Sequence, residues 1–249
     1  MTIFIASYIT LLGLILGSFY NVVALRVPAK ESLLHPPSHC PNCNTRLKAR
    51  DLFPVISYLL SGGKCRYCGT KVSALYPLGE VATGLLFLWV YLQFGLTGRG
   101  AIGFILVSLA VIVTVADLKY MLIPNKVLLF FLPLLLILVL FFPEGPLWQH
   151  LLGAVLGGGI LLLFALFGGM GVGDVKLFAL LGWVIGFPNV ILAFLIACLL
   201  GSVAGGMLIL VGVVKRKQRI PFGPWLVVGA LISYGYGSHI IGAYLSLLG

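Results

Sequence analysis

Charged residues are scarce in this chain of 249 residues: Asp, Glu, Lys and Arg together make up 9% of it, and only six residues are acidic. Apolar residues make up 61%. A soluble domain has about 25% charged and roughly 45–50% apolar residues, so a soluble fold of this size could not bury such an excess of apolar surface. The composition excludes a soluble enzyme, a fibrous chain and a disordered chain. It predicts an all-α polytopic membrane protein.

Several catalytic motifs are also missing. None of the four histidines belongs to an HExxH motif, which excludes a membrane zinc protease of that type. The glycine-rich residues 168–177 lack the GxGxxG spacing of a dinucleotide-binding loop. Ser202, with His239 as its base, is a further candidate nucleophile. Its glycine-rich surroundings at 201–206 are more typical of helix packing.

About eight apolar stretches are candidates for transmembrane helices, although several are shorter than the usual ~20 residues. The first stretch has no basic residue before it, which favours a retained helix over a cleavable signal peptide. The stretches cover residues 3–25, 78–94, 101–117, 127–142, 151–168, 175–188, 190–213 and 224–248.

The net charge of +10 has a topological explanation. All basic residues except Arg99 lie in alternate connections between the apolar stretches: in 26–77, in 119–126, at Lys176 and in 215–219. The positive-inside rule places these connections in the cytoplasm and both termini outside. Membrane topology therefore accounts for the basic charge, and a nucleic-acid partner is not expected.

Four of the five cysteines form two CxxC pairs with 21 residues between them. Two such pairs can place four thiolates around one zinc ion, and four protein ligands make the zinc structural. Disulfides and a redox pair are alternatives, which a reducing cytoplasm disfavours. The predicted ligands are Cys40, Cys43, Cys65 and Cys68, whereas Cys198 lies in an apolar stretch as a packing residue.

The cysteine pairs lie in the one long segment outside the apolar stretches. We therefore expect three parts: a first transmembrane helix over 1–25, a cytoplasmic four-cysteine zinc module over 26–77, and a helical domain over 78–249. The apolar residues 51–60 between the pairs are expected to lie against the membrane surface or the helix bundle. A zinc ribbon that binds nucleic acid is disfavoured because membrane helices hold the module at both ends.

Three acidic residues lie at or inside the ends of apolar stretches, where an ionisable group is costly and indicates function. Asp117 ends the third stretch and Asp174 precedes the sixth, so the predicted topology places both at the cytoplasmic face. Two facing carboxyls do not both ionise easily, so one can activate water while the other polarises a carbonyl. This pattern favours peptide hydrolysis of the aspartic-protease type. The third residue, Glu80, lies near the start of the second stretch.

Two alternatives for the aspartates remain open. Each could end a helix in an ion pair with Lys119 or Lys176, or the pair could bind the ion of an ion-coupled transporter. Small residues before Asp174 favour the protease, because a missing β-carbon would let a substrate strand approach closely. The residues expected to support the loop or the substrate there are Gly169, Gly171, Gly173 and Lys176.

In their order along the chain, these motifs resemble the type IV prepilin peptidase family, which contains bifunctional leader peptidases and N-methyltransferases of bacterial inner membranes. The resemblance covers almost the whole chain. Its motifs are the four-cysteine module, GSFYNVVALRVP at 17–28, YPLGEVATG at 76–84, Asp117 with IPN at 123–125, GMGVGDVKL at 169–177 and IPFGPWLVVG at 220–229.

The resemblance implies that Asp117 and Asp174 remove a short basic leader from prepilins or pseudopilins at the cytoplasmic side of the membrane, usually after glycine. It also implies that the new N-terminal residue, commonly phenylalanine, is methylated with S-adenosylmethionine. Relatives with the four cysteines tend to be bifunctional, and a peptidase without methyltransferase activity is the alternative. Glu80 matches the family's glutamate, with a role in methyl transfer or in the helix bundle. Asn125 stands where many relatives have Asp, which leaves the catalytic pair intact.

Overall fold

The computed structural model describes residues 2–212, 214–215 and 220–248. Within these ranges the regular structure is helical, and the only strand pairing is two isolated bridges. The predicted all-α class is therefore confirmed. Arg216, Lys217 and Arg219 of the basic connection lie outside the described residues. The helices are α1 (Thr2–Arg26), α2 (Ile56–Leu60), α3 (Leu75–Phe94), α4 (Gly98–Tyr120), α5 (Asn125–Phe141), α6 (Leu147–Leu166), α7 (Val172–Ile185), α8 (Asn189–Leu210) and α9 (Gly223–Leu248).

Six helices in the described part of the chain are long and apolar enough to cross a membrane: α1, α3, α4, α6, α8 and α9. The chain is therefore a multi-pass membrane protein. The other two predicted stretches form shorter helices, α5 with 17 residues and α7 with 14. At 1.5 Å per residue, α7 is about 21 Å long, which is less than the ~30 Å of a bilayer's hydrocarbon core. It is short because a glycine turn precedes it and Gly186, with φ of 70°, follows its last residue.

The chain divides into two compact units, Met1–Ala116 and Asp117–Gly249, and the boundary falls within α4. In the first unit, α1 packs against α3 through glycines. A Cβ on Gly13 would lie 2.9 Å from Gly84 Cα, and one on Gly17 would lie 2.9 Å from Glu80 Cα. Small residues spaced four apart occupy one helix face and allow two membrane helices to approach closely.

In the second unit, neighbouring helices also meet at small residues. Gly153 of α6 contacts Gly182 of α7, backbone to backbone. Along the pair α8 and α9, the Ser233 hydroxyl donates a hydrogen bond to the Asn189 carbonyl at 2.7 Å. This packing brings the end of α4, the start of α7 and the start of α9 together, and the two candidate aspartates lie there.

Candidate active site and metal centre

Asp117 lies in the last turn of α4 and is only 5% exposed. The backbone N–H of Gly223, the first residue of α9, donates a hydrogen bond to Asp117 Oδ2 at 2.9 Å. A Cβ at position 223 would lie 2.8 Å from the same oxygen. Glycine is therefore required at this position for α9 to begin against the carboxyl group.

Asp174 is the third residue of α7. Its Oδ2 accepts a hydrogen bond from the backbone N–H of Gly171 at 3.2 Å, in the manner of a capping box. A Cβ on Gly171 would also lie 3.2 Å from this oxygen. Each candidate aspartate is thus oriented by the N–H of a glycine at the start of a helix.

The fold brings together the segments that orient the two aspartates. Ile123, in the link between α4 and α5, lies between the two loops that orient them. A Cβ on Gly173 would lie 3.1 Å from Ile123 Cβ, and a Cβ on Gly223 would lie 3.5 Å from Ile123 Cδ1. An isoleucine packed between two glycines therefore joins the segments that orient Asp117 and Asp174.

Lys176 does not pair with an aspartate. Its Nζ donates a hydrogen bond to Asn125 Oδ1 at 3.0 Å, which joins the first turns of α7 and α5. Among the residues that the structure describes, Asp117 and Asp174 have no cationic group within 4.0 Å. The helix-end ion pairs considered above are not observed. The hydrogen-bond partner of Lys176 is Asn125 instead.

The glycines before Asp174 have contacts within the chain. The N–H of Gly169 donates a hydrogen bond to the carbonyl of Phe164 at 3.0 Å, which closes the end of α6. Gly171 and Gly173 leave room for Asp174 and Ile123, respectively. Their small size is therefore explained by folding, and a role in binding a substrate strand stays a prediction.

The alternative nucleophile Ser202 is remote from His239. Asn189, at the start of α8, lies beside Gly237 of α9, which is close to His239 in sequence. Ser202 lies about 13 residues further along α8, or ~20 Å at 1.5 Å per residue. These two side chains therefore do not form a nucleophile and base pair.

The four cysteines of the module form one cluster. Their sulfur atoms all lie within 4.8 Å of one another, and the Sγ atoms of Cys40 and Cys68 are 3.8 Å apart. Tetrahedral zinc with Zn–S bonds of ~2.3 Å places its sulfur ligands about 3.8 Å apart. Hydrogen bonds with Thr70 lower the pKa of the Cys68 thiol to about 6, which favours the thiolate that binds metals. The cluster could hold a metal ion.

Both cysteine pairs adopt the same turn. The N–H of the first cysteine donates a hydrogen bond to the carbonyl of the residue five positions later. The N–H of the residue four positions after that cysteine donates a hydrogen bond to the cysteine's own carbonyl. This second donor is Asn44 in the first pair and Gly69 in the second, and both have a left-handed backbone with φ of 54° and 71°. Asparagine and glycine tolerate this conformation better than other residues. The bonds measure 3.1 and 2.9 Å around Cys40, and 2.8 and 2.9 Å around Cys65. The two pairs are therefore two copies of one structural unit.

Asp51 connects the parts of the module. Its Oδ2 accepts hydrogen bonds from the Lys48 N–H at 3.0 Å and from the Tyr67 hydroxyl at 2.9 Å. The guanidinium of Arg66 lies 3.6 Å from Oδ1. Burial raises the pKa of Asp51, but the hydrogen bonds and the arginine charge outweigh burial and hold the pKa below its ordinary value. Asp51 has a structural role between the two cysteine pairs.

Glu80 is 7% exposed and accepts a hydrogen bond from the Val55 N–H at 2.7 Å. Val55 has a φ of 61°, which is rare for a β-branched residue. Glu80 therefore ties Val55, in the middle of residues 51–60, to α3. Four apolar side chains of this segment face away from the rest of the unit: Phe53, Ile56, Leu59 and Leu60 are each more than half exposed.

Two family descriptions match the chain: Bacterial Peptidase A24 N-terminal domain over residues 11–94, and Type IV leader peptidase family over residues 104–206. A prepilin leader peptidase/N-methyltransferase of Bacillus subtilis (strain 168) is 38% identical over 243 residues, which are 97% of this chain and 98% of the relative. The chain belongs to the type IV leader peptidase family. This membership confirms the resemblance seen in the motifs.

Other members of the family carry the same name. The protein of Pseudomonas aeruginosa is 32% identical over 96% of this chain and 93% of its own length. The protein of Neisseria gonorrhoeae is 35% identical over 90% of this chain and 87% of its own length. No solved structure matches the chain. The N-terminal match contains the four cysteines and Glu80, and the second match contains both aspartates.

Proposed function

We propose that this chain is a membrane aspartic endopeptidase that removes the leader of type IV prepilins or pseudopilins. We also propose that it methylates the new N-terminal residue with S-adenosylmethionine. The pairing of Asp117 and Asp174, each oriented by a glycine N–H, carries the proposal for cleavage. The relatives named prepilin leader peptidase/N-methyltransferase match nearly the full length of the chain, which supports both leader cleavage and N-methylation. Nothing in these comparisons favours an ion-coupled transporter.

Cleavage by this pair follows the general acid and base roles of two carboxyl groups. The ionised carboxylate takes a proton from water while the protonated partner donates a hydrogen bond to the scissile carbonyl oxygen. The water oxygen bonds to the carbonyl carbon, and the C–N bond then breaks as a proton passes to the leaving nitrogen. Gly171 and Gly223 keep one oxygen of each carboxyl group oriented during these steps.

The proposed location is the bacterial inner membrane, with the aspartates facing the cytoplasm. The basic connections of the sequence support this orientation through the positive-inside rule. A prepilin whose apolar N-terminal helix is inserted in the same membrane would present its leader junction at that interface. Its partners would then be the substrate and the surrounding lipid, without nucleic acid.

The four-cysteine cluster is proposed to hold a structural Zn²⁺ ion. Cys40, Cys43, Cys65 and Cys68 would fill all four positions, so no position remains for an activated water. The zinc would fix the two turns of the module and would not take part in hydrolysis. The module would in turn position residues 51–60 on Glu80.

S-adenosylmethionine would supply the methyl group, and the four-cysteine module accompanies this activity in the resemblance stated above. Glu80 contacts the module and α3 at Val55, and a direct role for it in methyl transfer stays a prediction.

The proposed function is tested by incubating the purified enzyme with a membrane-inserted prepilin, with and without S-adenosylmethionine. We expect mass spectrometry of the product to show loss of the leader in both samples. The gain of one methyl group on the new N-terminus is expected only with the methyl donor. Cleavage without this gain would leave a peptidase alone. No cleavage of several prepilins by a well-folded enzyme would overturn the proposal.

Substitution Gly223→Ala is expected to lower the rate of leader cleavage roughly 10²-fold, because a misplacement of ~1 Å at a catalytic group can cost this much. The added Cβ would lie 2.8 Å from Asp117 Oδ2 and must displace either the carboxyl group or the start of α9. The measurement is the initial rate of leader release under saturating substrate.

Gly242→Ala is the matched control, since it lies on the same helix and a Cβ there meets nothing within 4 Å. This variant should cleave at the wild-type rate. Equal rates for both variants would show that the Gly223 N–H does not orient the carboxyl group during catalysis.

A further inference from the structure

A cavity of about 270 Å³ opens within the second unit, near the start of α7 and the start of α9. Its walls come from the end of α6, the loop before α7, the middle of α8 and the residue before α9. The residues that line it in the described structure are uncharged and mostly apolar; they include Phe164, Met170, Phe194, Cys198, Ser202 and Phe222.

The position of this cavity relative to the aspartates follows from two chain connections. Met170 directly precedes Gly171, whose N–H donates to Asp174. Phe222 directly precedes Gly223, whose N–H donates to Asp117. Consecutive Cα atoms are about 3.8 Å apart, so the wall of the cavity begins one residue from each glycine donor, and a polypeptide held between the two carboxyl groups would lie beside it.

The chemistry of the walls limits the occupant. A basic side chain of a leader would lose its hydration there without gaining a charged partner. S-adenosylmethionine carries several charged groups, and sites for small molecules usually enclose about 300–1,000 Å³. A single apolar side chain suits both the volume and the three phenylalanine rings, which pack favourably with apolar and aromatic groups.

We propose that this cavity is a substrate subsite, which binds one apolar side chain from the first turn of the mature segment, just after the cleaved bond. The inference rests on the proposed function, in which a basic leader precedes the bond and an apolar helix follows it. By holding that side chain, the cavity sets the register of the substrate, so that the scissile carbonyl lies between the aspartates. It assigns Phe222 and Met170 as specificity-determining residues.

The test combines a filled cavity with an alanine scan of the first four mature residues of a membrane-inserted prepilin. With the wild-type enzyme, one of the four alanine substrates should lose about tenfold in kcat/KM, the order expected for removing part of an apolar side chain from its pocket. Ser202→Phe places a ring in the cavity and should lower kcat/KM for the unchanged substrate to a similar extent.

The decisive result is coupling between the two changes. If the cavity binds the side chain, the same alanine substitution should have almost no further effect on Ser202→Phe, because the contact has already been lost. Val203→Phe is the control, since Val203 neighbours Ser202 on α8 but does not line the cavity. If Ser202→Phe does not fold, Cys198→Leu is a second variant, which fills the cavity with a smaller side chain than phenylalanine.

Additive effects of the substrate and enzyme changes, or equal cleavage by Ser202→Phe and the wild type, would overturn the subsite. Failure of the proposed function gives a different result, because the wild-type enzyme would then cleave none of the substrates. The comparison of kcat/KM across substrates also separates the subsite from a general loss of folding, which would lower cleavage of all substrates equally.

Discussion

Asp117→Asn and Asp174→Asn are each expected to lower the rate of leader cleavage roughly 10²–10⁴-fold. An amide can neither accept the proton from water nor donate an acidic proton to the carbonyl oxygen. It has the same shape as a carboxyl group, and its oxygen can still accept the N–H of Gly223 or Gly171. The variants should therefore fold normally. The measurement is the rate of leader release from a membrane-inserted prepilin, read by mass spectrometry.

Two controls accompany these variants. Glu31→Gln removes one negative charge from an exposed residue of the module and should leave cleavage unchanged. Methylation of a prepilin from which the leader has already been removed should survive in both aspartate variants, because it does not need the pair. Substantial cleavage by either aspartate variant would contradict the proposed mechanism.

Cys65→Ser is expected to reduce bound zinc from about one ion per chain to nearly none. Structural zinc in small modules contributes apparent binding free energies of ~10–16 kcal/mol, and a serine hydroxyl is a far weaker ligand than a thiolate. Loss of the ion should loosen both cysteine turns, since the four sulfur atoms converge on one point. The measurement is elemental analysis of the purified protein.

Cys198→Ser is the matched control, because Cys198 lies on α8 and outside the cluster. This variant should keep its zinc. The aspartates lie in the other compact unit, so Cys65→Ser should leave their pairing in place. A wild-type protein without zinc, or a Cys65→Ser variant that keeps it, would refute the metal site.

The fold class and the candidate residues could be predicted from sequence because both depend on local patterns. Long apolar stretches predict membrane helices whatever their partners are, and the helices lie close to the predicted ranges. The spacing within each CxxC pair limits the distance between its sulfur atoms. Carboxyl groups at the ends of apolar stretches stand out because they are costly there. In each case the relevant residues are close together in the chain.

The contacts that orient these residues could not be predicted in this way. Gly223 belongs to a motif of the sequence, yet nothing in that motif indicates that its N–H reaches a carboxyl group 106 positions away. The same holds for the packing of Ile123 between Gly173 and Gly223. It also holds for the hydrogen bond from Lys176 to Asn125 and for the one from the Val55 N–H to Glu80. The residues around the apolar cavity also come from four separate segments.

Composition and spacing thus define the helices, the ligand set and the ionisable residues of this protein, since each follows from a few neighbouring positions. The meeting of the two aspartates and their glycine donors depends on the packing of several helices. That packing is set by many small contacts between distant residues, such as the glycine faces of α6 and α7. A shift of one residue along either helix would rotate its side chains by about 100° and separate these groups.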